Sequence, residues 1–181
     1  MFVLDKLYQP KLRNVIVSTA AYVFAFMVIL PQMSFIVEQA SQLTITPDSD
    51  LFYNFDRLMY IRRLYNKAGI EAYVMTRFTY DLLWPIIYTF FTVSTLGYFG
   101  QYMERTKVLS LVYALPIGAF VFDVFENSFC SIFFMEMGPH FLGYLAVLFS
   151  GLKWLMVFGM MVAQCVLLIL YVIKKIKTSI A

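Results

Sequence analysis

The sequence is 181 residues long, 61% hydrophobic and only 14% charged, with a formal net charge of +3. A chain this apolar is not a soluble domain, and its 19 Phe and 13 Tyr are typical of helices in lipid. The small positive charge is spread between the apolar stretches, and no basic stripe indicates a nucleic-acid surface.

The first predicted span covers residues 15–37. Before it, residues 1–13 mix apolar and basic side chains, which predicts either a short amphipathic segment at the membrane surface or a frayed polar tail. The apolar stretch is too long for a signal-peptide core and no small-residue cleavage site follows it, so we expect it to remain as an anchor. Pro31 allows a kink near its far end.

The one long connection covers residues 38–77. Its Thr-Pro-Asp at 46–48 has the residues of a helix start: a capping hydroxyl, a proline at the first helical position and an acid in the first turn. Apolar residues then recur at helical spacing, and Gly69 supplies a stop. We predict an amphipathic helix over about 47–67 in the first extracytoplasmic loop, as a solvated connector, as a lid or as a docking segment for a partner.

The second and third predicted spans cover 78–98 and 108–135, and we expect Pro85 and Pro116 to kink them. The last apolar stretch, residues 141–173, is longer than one span requires. Because it is interrupted by Ser150-Gly151 and Lys153, we interpret 141–149 as an interfacial or re-entrant lead-in and 152–173 as the fourth span. One long tilted helix is the alternative.

The predicted fold is therefore an all-α integral membrane protein, a four-transmembrane-helix bundle in a single domain, 1–181. Basic residues in the short flanks of the spans fall on one side, which by the positive-inside rule is cytoplasmic. We expect both termini to be cytoplasmic and the membrane to be the bacterial inner membrane.

Polar side chains that are costly in lipid lie on two helix faces. These are Asp123, Glu126 and Asn127 on the third span, and Arg77, Asp81 and Tyr88 on the second. At ~1.5 Å rise per residue, Asp123 lies ~22 Å from the cytoplasmic start of its helix, in the outer half of the bilayer. The second span enters from outside, so Asp81 lies at a matching depth. We expect both faces to border one outward-opening pocket.

Asp123 and Glu126 are the candidate catalytic residues, as an acid/base pair. Two carboxylates on one buried face repel, so at least one should be protonated or matched by a cation. The other four are candidate binding groups, each with a structural alternative: Asp81 and Arg77 as an interfacial ion pair with the arginine reaching outward, Asn127 as an interhelical clamp, and Tyr88 as a ring with one hydrogen-bond partner.

Nothing in the sequence predicts a metal or a cofactor. Cys130 and Cys165 are isolated within apolar stretches, where a thiol is most simply a small apolar side chain. His140 has no second histidine or cysteine pair nearby, so a zinc site is not expected. The sequence carries no phosphate loop, dinucleotide fingerprint or hydrolase triad motif.

Three short patterns resemble a group of small bacterial four-span membrane proteins of uncharacterised function. They are Gly69-x-x-x-Tyr73, Asp81-x-x-x-Pro85-x-x-Tyr88 and Pro116-x6-Asp123-x-x-Glu126-Asn127. The resemblance covers the middle third of the chain and implies the four-span architecture but no activity. An arginine follows the glycine in that group, whereas this chain has Ile70-Glu71 there, so no role of that arginine carries over.

Three classes of function remain open from the sequence. The first is an outward-facing acidic pocket that binds a membrane lipid or an isoprenoid-like apolar small molecule, either with or without modifying it chemically. The second is a structural or accessory subunit, in which the same residues fasten helices to each other and to a partner membrane subunit. The third is a proton-coupled carrier, which would require a homo-oligomer because four spans enclose little of a pathway.

Overall fold

The computed structural model describes residues 10–47, 50–104 and 107–180, and these residues are helical with no β-strand among them. The α-helices, numbered here in chain order, are α1 Leu12–Phe24, α2 Leu30–Ser41, α3 Phe55–Leu64, α4 Lys67–Arg77, α5 Tyr80–Gly100, α6 Lys107–Phe134 and α7 Phe141–Ile180. Most of the predicted amphipathic N-terminal segment, residues 1–9, lies outside the described residues.

Four helical segments are long and apolar enough to cross a membrane, namely Leu12–Ser41, Lys67–Gly100, Val108–Phe134 and Phe141–Ser179. The protein is an all-α integral membrane protein with four candidate spans, and the predicted fold class is confirmed. The α6–α7 hairpin makes the most extensive interhelical contact, and α5 packs against both of its helices and against α1.

The first span contains a π-helical segment, Ala25–Ile29, between α1 and α2. Pro31 follows at the start of α2. A proline inside a helix has no N–H to donate, and its ring collides with the carbonyl four residues earlier, here that of Met27. The wider π turn contains Met27, so it accommodates Pro31 without ending the span.

The predicted helix over 47–67 is wrong in its bounds. The helix in this loop is α3, which begins at Phe55, and the Asn54 side chain caps it by accepting a hydrogen bond from the backbone N–H of Arg57 at 2.8 Å. Asp48 of the predicted start lies outside the described residues, and the neighbouring Pro47 is buried in a 3₁₀ turn. The helix α3 therefore begins with its own cap at Asn54, downstream of the predicted start.

Gly69 does not end a helix but lies in the first turn of α4. The Asn66 side chain caps this helix, accepting a hydrogen bond from the backbone N–H of Gly69 at 2.7 Å. A Cβ atom on Gly69 would lie 2.6 Å from the Cβ of Ser41 at the end of α2. The glycine therefore serves close contact between α4 and α2, not chain reversal.

The predicted division of residues 141–173 is also wrong, because α7 is one continuous helix of 40 residues. Within a membrane the backbone must satisfy its own hydrogen bonds, so a Ser-Gly pair does not break a helix as it can in water. The second span differs from its predicted bounds as well: α4 ends at Arg77, and α5 begins at Tyr80. Pro85 and Pro116 lie inside continuous helices.

Candidate functional site

All six residues predicted from the sequence as site residues are buried, with at most 6% of their surface exposed. They come from three consecutive helices: Arg77 from α4, Asp81 and Tyr88 from α5, and Asp123, Glu126 and Asn127 from α6. A lysine from α7 joins them, as described below. We refer to the following residues as the charge network: Arg77, Asp81, Asp123, Glu126, Asn127 and Lys153.

Arg77 joins three helices. Its Nη1 donates to the carboxylate of Asp81 at 2.5 Å and to the side-chain carbonyl of Asn127 at 3.0 Å. Its Nη2 donates to the phenol of Tyr73 one turn earlier. The structural alternative predicted an ion pair with Asp81 and a side chain that reaches outward. The ion pair is present, but Arg77 is only 1% exposed, so its side chain points into the protein and not outward.

The break between α4 and α5 positions this ion pair. Arg77 is the last residue of α4 and Asp81 lies in the first turn of α5, so their i,i+4 contact spans the break at Phe78–Thr79. A carboxylate in the first turn of a helix also interacts favourably with the positive end of the helix dipole. The pair thus fixes the angle at which α5 enters the bundle.

Lys153 lies between the two candidate catalytic carboxylates. Its Nζ is 2.5 Å from Oε2 of Glu126 and 3.3 Å from Oδ1 of Asp123. The sequence interpretation treated Lys153 only as an interruption of an apolar stretch and missed this contact. A signal existed, because in an antiparallel hairpin with its turn near Gly138, a residue level with Asp123 must come from the region of Lys153.

Two tyrosines complete the hydrogen bonds of the acidic pair. The Tyr88 phenol donates to Oδ2 of Asp123 at 3.4 Å, and the Tyr53 phenol donates to Oε1 of Glu126 at 2.9 Å. Burial raises the pKa of the Tyr53 phenol, which therefore keeps its proton and remains a donor. Sequence reasoning missed Tyr53, because it lies in the irregular segment before α3, where no periodicity indicates which side chains face inward.

The charges of the network do not balance. It holds three carboxylates and two cations, so full ionisation leaves one negative charge in excess. Lys153 alone is shared by two of the carboxylates. An excess charge away from water is costly, and a proton or a cationic group of a ligand can compensate it.

Some buried polar atoms next to the network lack a hydrogen-bond partner within the described part of the chain. The Asn127 carbonyl faces Arg77, which leaves the amide Nδ2 without an acceptor. Two hydroxyls also lack a hydrogen-bond partner there: that of Ser131, one turn further along α6, and that of Ser150 on α7. All three residues are 2% exposed. Unsatisfied buried polar groups are costly, and they mark places where a ligand can add hydrogen bonds.

The chain matches no family model, no curated protein and no solved structure. Among residues 10–47, 50–104 and 107–180, no group of three or more His, Cys, Asp and Glu side chains is arranged to hold a metal ion.

Proposed function

We propose that this protein binds the polar end of a membrane lipid or isoprenoid-like molecule at the charge network. The observation that carries the proposal is the buried, unpartnered amide Nδ2 of Asn127, next to a network with one excess negative charge. A network that only fastened helices would be expected to satisfy its own groups. A ligand with a cationic amine and an acceptor oxygen would meet both requirements.

The ligand would enter sideways from the lipid. Lys153 is the most exposed charged member, at 12% of its side-chain surface. The exposed rings of Phe52, before α3, and Phe158, on α7, stack with their centroids 6.2 Å apart and offer apolar surface to lipid. An amphiphile could place its polar end on the network while its apolar chain stays in the bilayer.

Asp123 and Glu126 would act on this ligand as acid and base. Both contact Lys153, and one proton shared between them would offset the excess charge. The protonated carboxyl can then donate to a ligand oxygen while its ionised partner accepts a proton. Tyr53 and Tyr88 hold one oxygen of each carboxylate and so fix the orientation of the pair.

We place the site in the outer half of the bacterial inner membrane, with both termini in the cytoplasm. The short basic flanks support this orientation through the positive-inside rule. The second candidate function is that of a structural or accessory subunit. Direct side-chain bonds between α4, α5, α6 and α7 favour it, because they would hold the bundle together with no ligand bound.

Quantification of co-purified lipid tests the proposal. The full chain, extracted in a mild detergent, is analysed by mass spectrometry for bound amphiphiles, alongside Asp123→Asn, Glu126→Gln and Asn127→Leu. We expect each variant to lose bound amphiphile by at least about ten-fold, since each loses a hydrogen bond or charge worth more than about 1.4 kcal/mol. Glu136→Gln is the matched control, since Glu136 is 75% exposed and outside the network.

The same samples separate the two candidate functions. Thermal unfolding of each variant is measured in the same detergent. Loss of the amphiphile with a preserved unfolding temperature supports ligand binding. Unchanged amphiphile content, or unfolding of every variant with no amphiphile in the wild type, supports the structural function instead.

A further inference from the structure

A cleft lies at the opposite end of the bundle from the charge network. It has a volume of about 440 Å³ and forms where the chain leaving α5 meets the end of α7. Its lining residues are Tyr102, Tyr171, Lys174, Lys175, Thr178 and Ser179. Among the described residues, this lining carries two ammonium groups, two aliphatic hydroxyls and no carboxylate, which is the composition of an anion site.

The cleft is built from one face of α7. Tyr171, Lys174, Lys175 and Thr178 recur at i, i+3, i+4 and i+7, the spacing of a single helix face. Lys174 is fixed at the wall, because its Nζ donates to the backbone carbonyl of Tyr102 at 2.7 Å. An ammonium has three donors, so this bond leaves further donors for an anion. Lys177 lies on a different face of the helix and does not line the cleft.

The surroundings place the cleft at a membrane interface. The Tyr171 ring packs against those of Tyr102 and Tyr98, with centroid distances of 5.0 and 6.0 Å. Tyrosines are enriched where hydrocarbon meets the headgroups. The rings of Tyr102 and Tyr171 also line the cleft itself, so apolar ring surface forms part of its wall.

We propose that this cleft binds the phosphate of an anionic membrane-lipid headgroup. The two ammonium groups would pair with the phosphate oxygens, and the hydroxyls of Thr178 and Ser179 would donate to them. A free phosphate ion offers the same chemistry. The Tyr102 and Tyr171 rings in the lining favour the lipid, because they give the cleft an apolar surface that a lipid can contact and a free ion cannot.

Native mass spectrometry of the full chain in detergent tests this site. The protein is titrated with phosphatidylglycerol and, separately, with zwitterionic phosphatidylcholine. We expect a preference for phosphatidylglycerol that falls about five-fold for each of Lys174→Gln and Lys175→Gln. Lys174→Arg and Lys175→Arg should keep it. Lys177→Gln is the matched control, since it removes the same charge from the same helix turn but not from the cleft.

The outcomes decide between a built site and general attraction. An equal loss in Lys177→Gln would show that only net charge matters and would overturn the proposal, as would an unchanged preference in the two cleft variants. Displacement of phosphatidylglycerol by inorganic phosphate at equal concentration would overturn the assignment to a lipid. The cleft residues are exposed, so the variants should unfold at the wild-type temperature, and this is measured alongside.

Discussion

Lys153 lies next to both members of the candidate acid/base pair, so its removal is a direct test of the charge network. Lys153→Met keeps the length of the side chain but leaves two buried carboxylates without this cation. We expect the free energy of unfolding to fall by about 3–5 kcal/mol, the range found when one partner of a buried ion pair is removed. Thermal or denaturant unfolding in detergent measures the loss.

A double variant provides the control for that prediction. Adding Glu126→Gln to Lys153→Met removes one of the two stranded carboxylates, so part of the lost stability should return. Lys67→Met is the matched surface variant, because the Lys67 side chain is 91% exposed, and it should change stability little. Additive losses in the double variant would contradict a direct interaction between Lys153 and Glu126.

Tyr53 tests the contribution of the loop before α3. Tyr53→Phe removes one hydroxyl and leaves Oε1 of Glu126 without this donor. We expect a loss of about 1–3 kcal/mol, because a buried charged acceptor loses a hydrogen bond. Tyr60→Phe is the control, since Tyr60 is 51% exposed. Equal unfolding temperatures for the two variants would show that the Tyr53–Glu126 contact adds no stability.

Sequence reasoning identified a contact between residues one helical turn apart and missed contacts between residues that are distant in the sequence. Arg77 and Asp81 are four residues apart, so helical periodicity alone placed them on one face and they do form an ion pair. Lys153 required the register of the α6–α7 hairpin as well, which the wrong division of α7 obscured. Tyr53 reaches Glu126 across 73 positions from an irregular segment, and only three-dimensional packing reveals that contact.

At the scale of the helices, two glycines should respond in opposite directions to the same substitution. A Cβ at Gly69 would lie 2.6 Å from Ser41, so Gly69→Ala should force α4 away from α2 and destabilise the protein by about 1–3 kcal/mol. Nothing lies within 4 Å of a Cβ at Gly151, so Gly151→Ala should stabilise α7 by up to about 1 kcal/mol. Unfolding temperatures of the two variants test this contrast.

The sequence predicts the presence of the four spans correctly, but it does not predict where α3 begins or that α7 is continuous. The apolar content of the four spans is sufficient to predict them, because lipid leaves no other way to satisfy the backbone. In the loop, the sequence predicts a helix start at Thr-Pro-Asp 46–48, whereas α3 begins at Phe55, where the Asn54 side chain accepts a hydrogen bond from the backbone N–H of Arg57. In α7, Ser150-Gly151 has the composition of a loop, yet the helix continues through it.

At the scale of the whole molecule, the two polar regions lie at opposite ends of an antiparallel bundle. The charge network lies near the segment before α3, whose Tyr53 bonds to Glu126, and Arg62 of α3 forms an ion pair at 2.5 Å with Glu136 in the loop between α6 and α7. The lysine cleft lies where α5 and α7 end. The apolar clusters around Leu96 and Met160 include contacts from α5, α6 and α7 and separate the two regions. A ligand at one region would therefore not contact the other.

Cysteine labelling in intact cells tests this arrangement and its orientation. Lys67 at the start of α4 and Glu104 after α5 are both exposed and lie at opposite ends of the second span. With both termini in the cytoplasm, an impermeant thiol reagent added outside should label Lys67→Cys but not Glu104→Cys until the cells are opened. The background carries Cys165→Ala, because Cys165 is exposed, whereas Cys130 is buried and can stay.

Labelling of Glu104→Cys alone would reverse the orientation and put the charge network in the cytoplasmic half. Labelling of both from outside would contradict the four-span bundle itself, because residues 67 and 104 could not then be joined by a span.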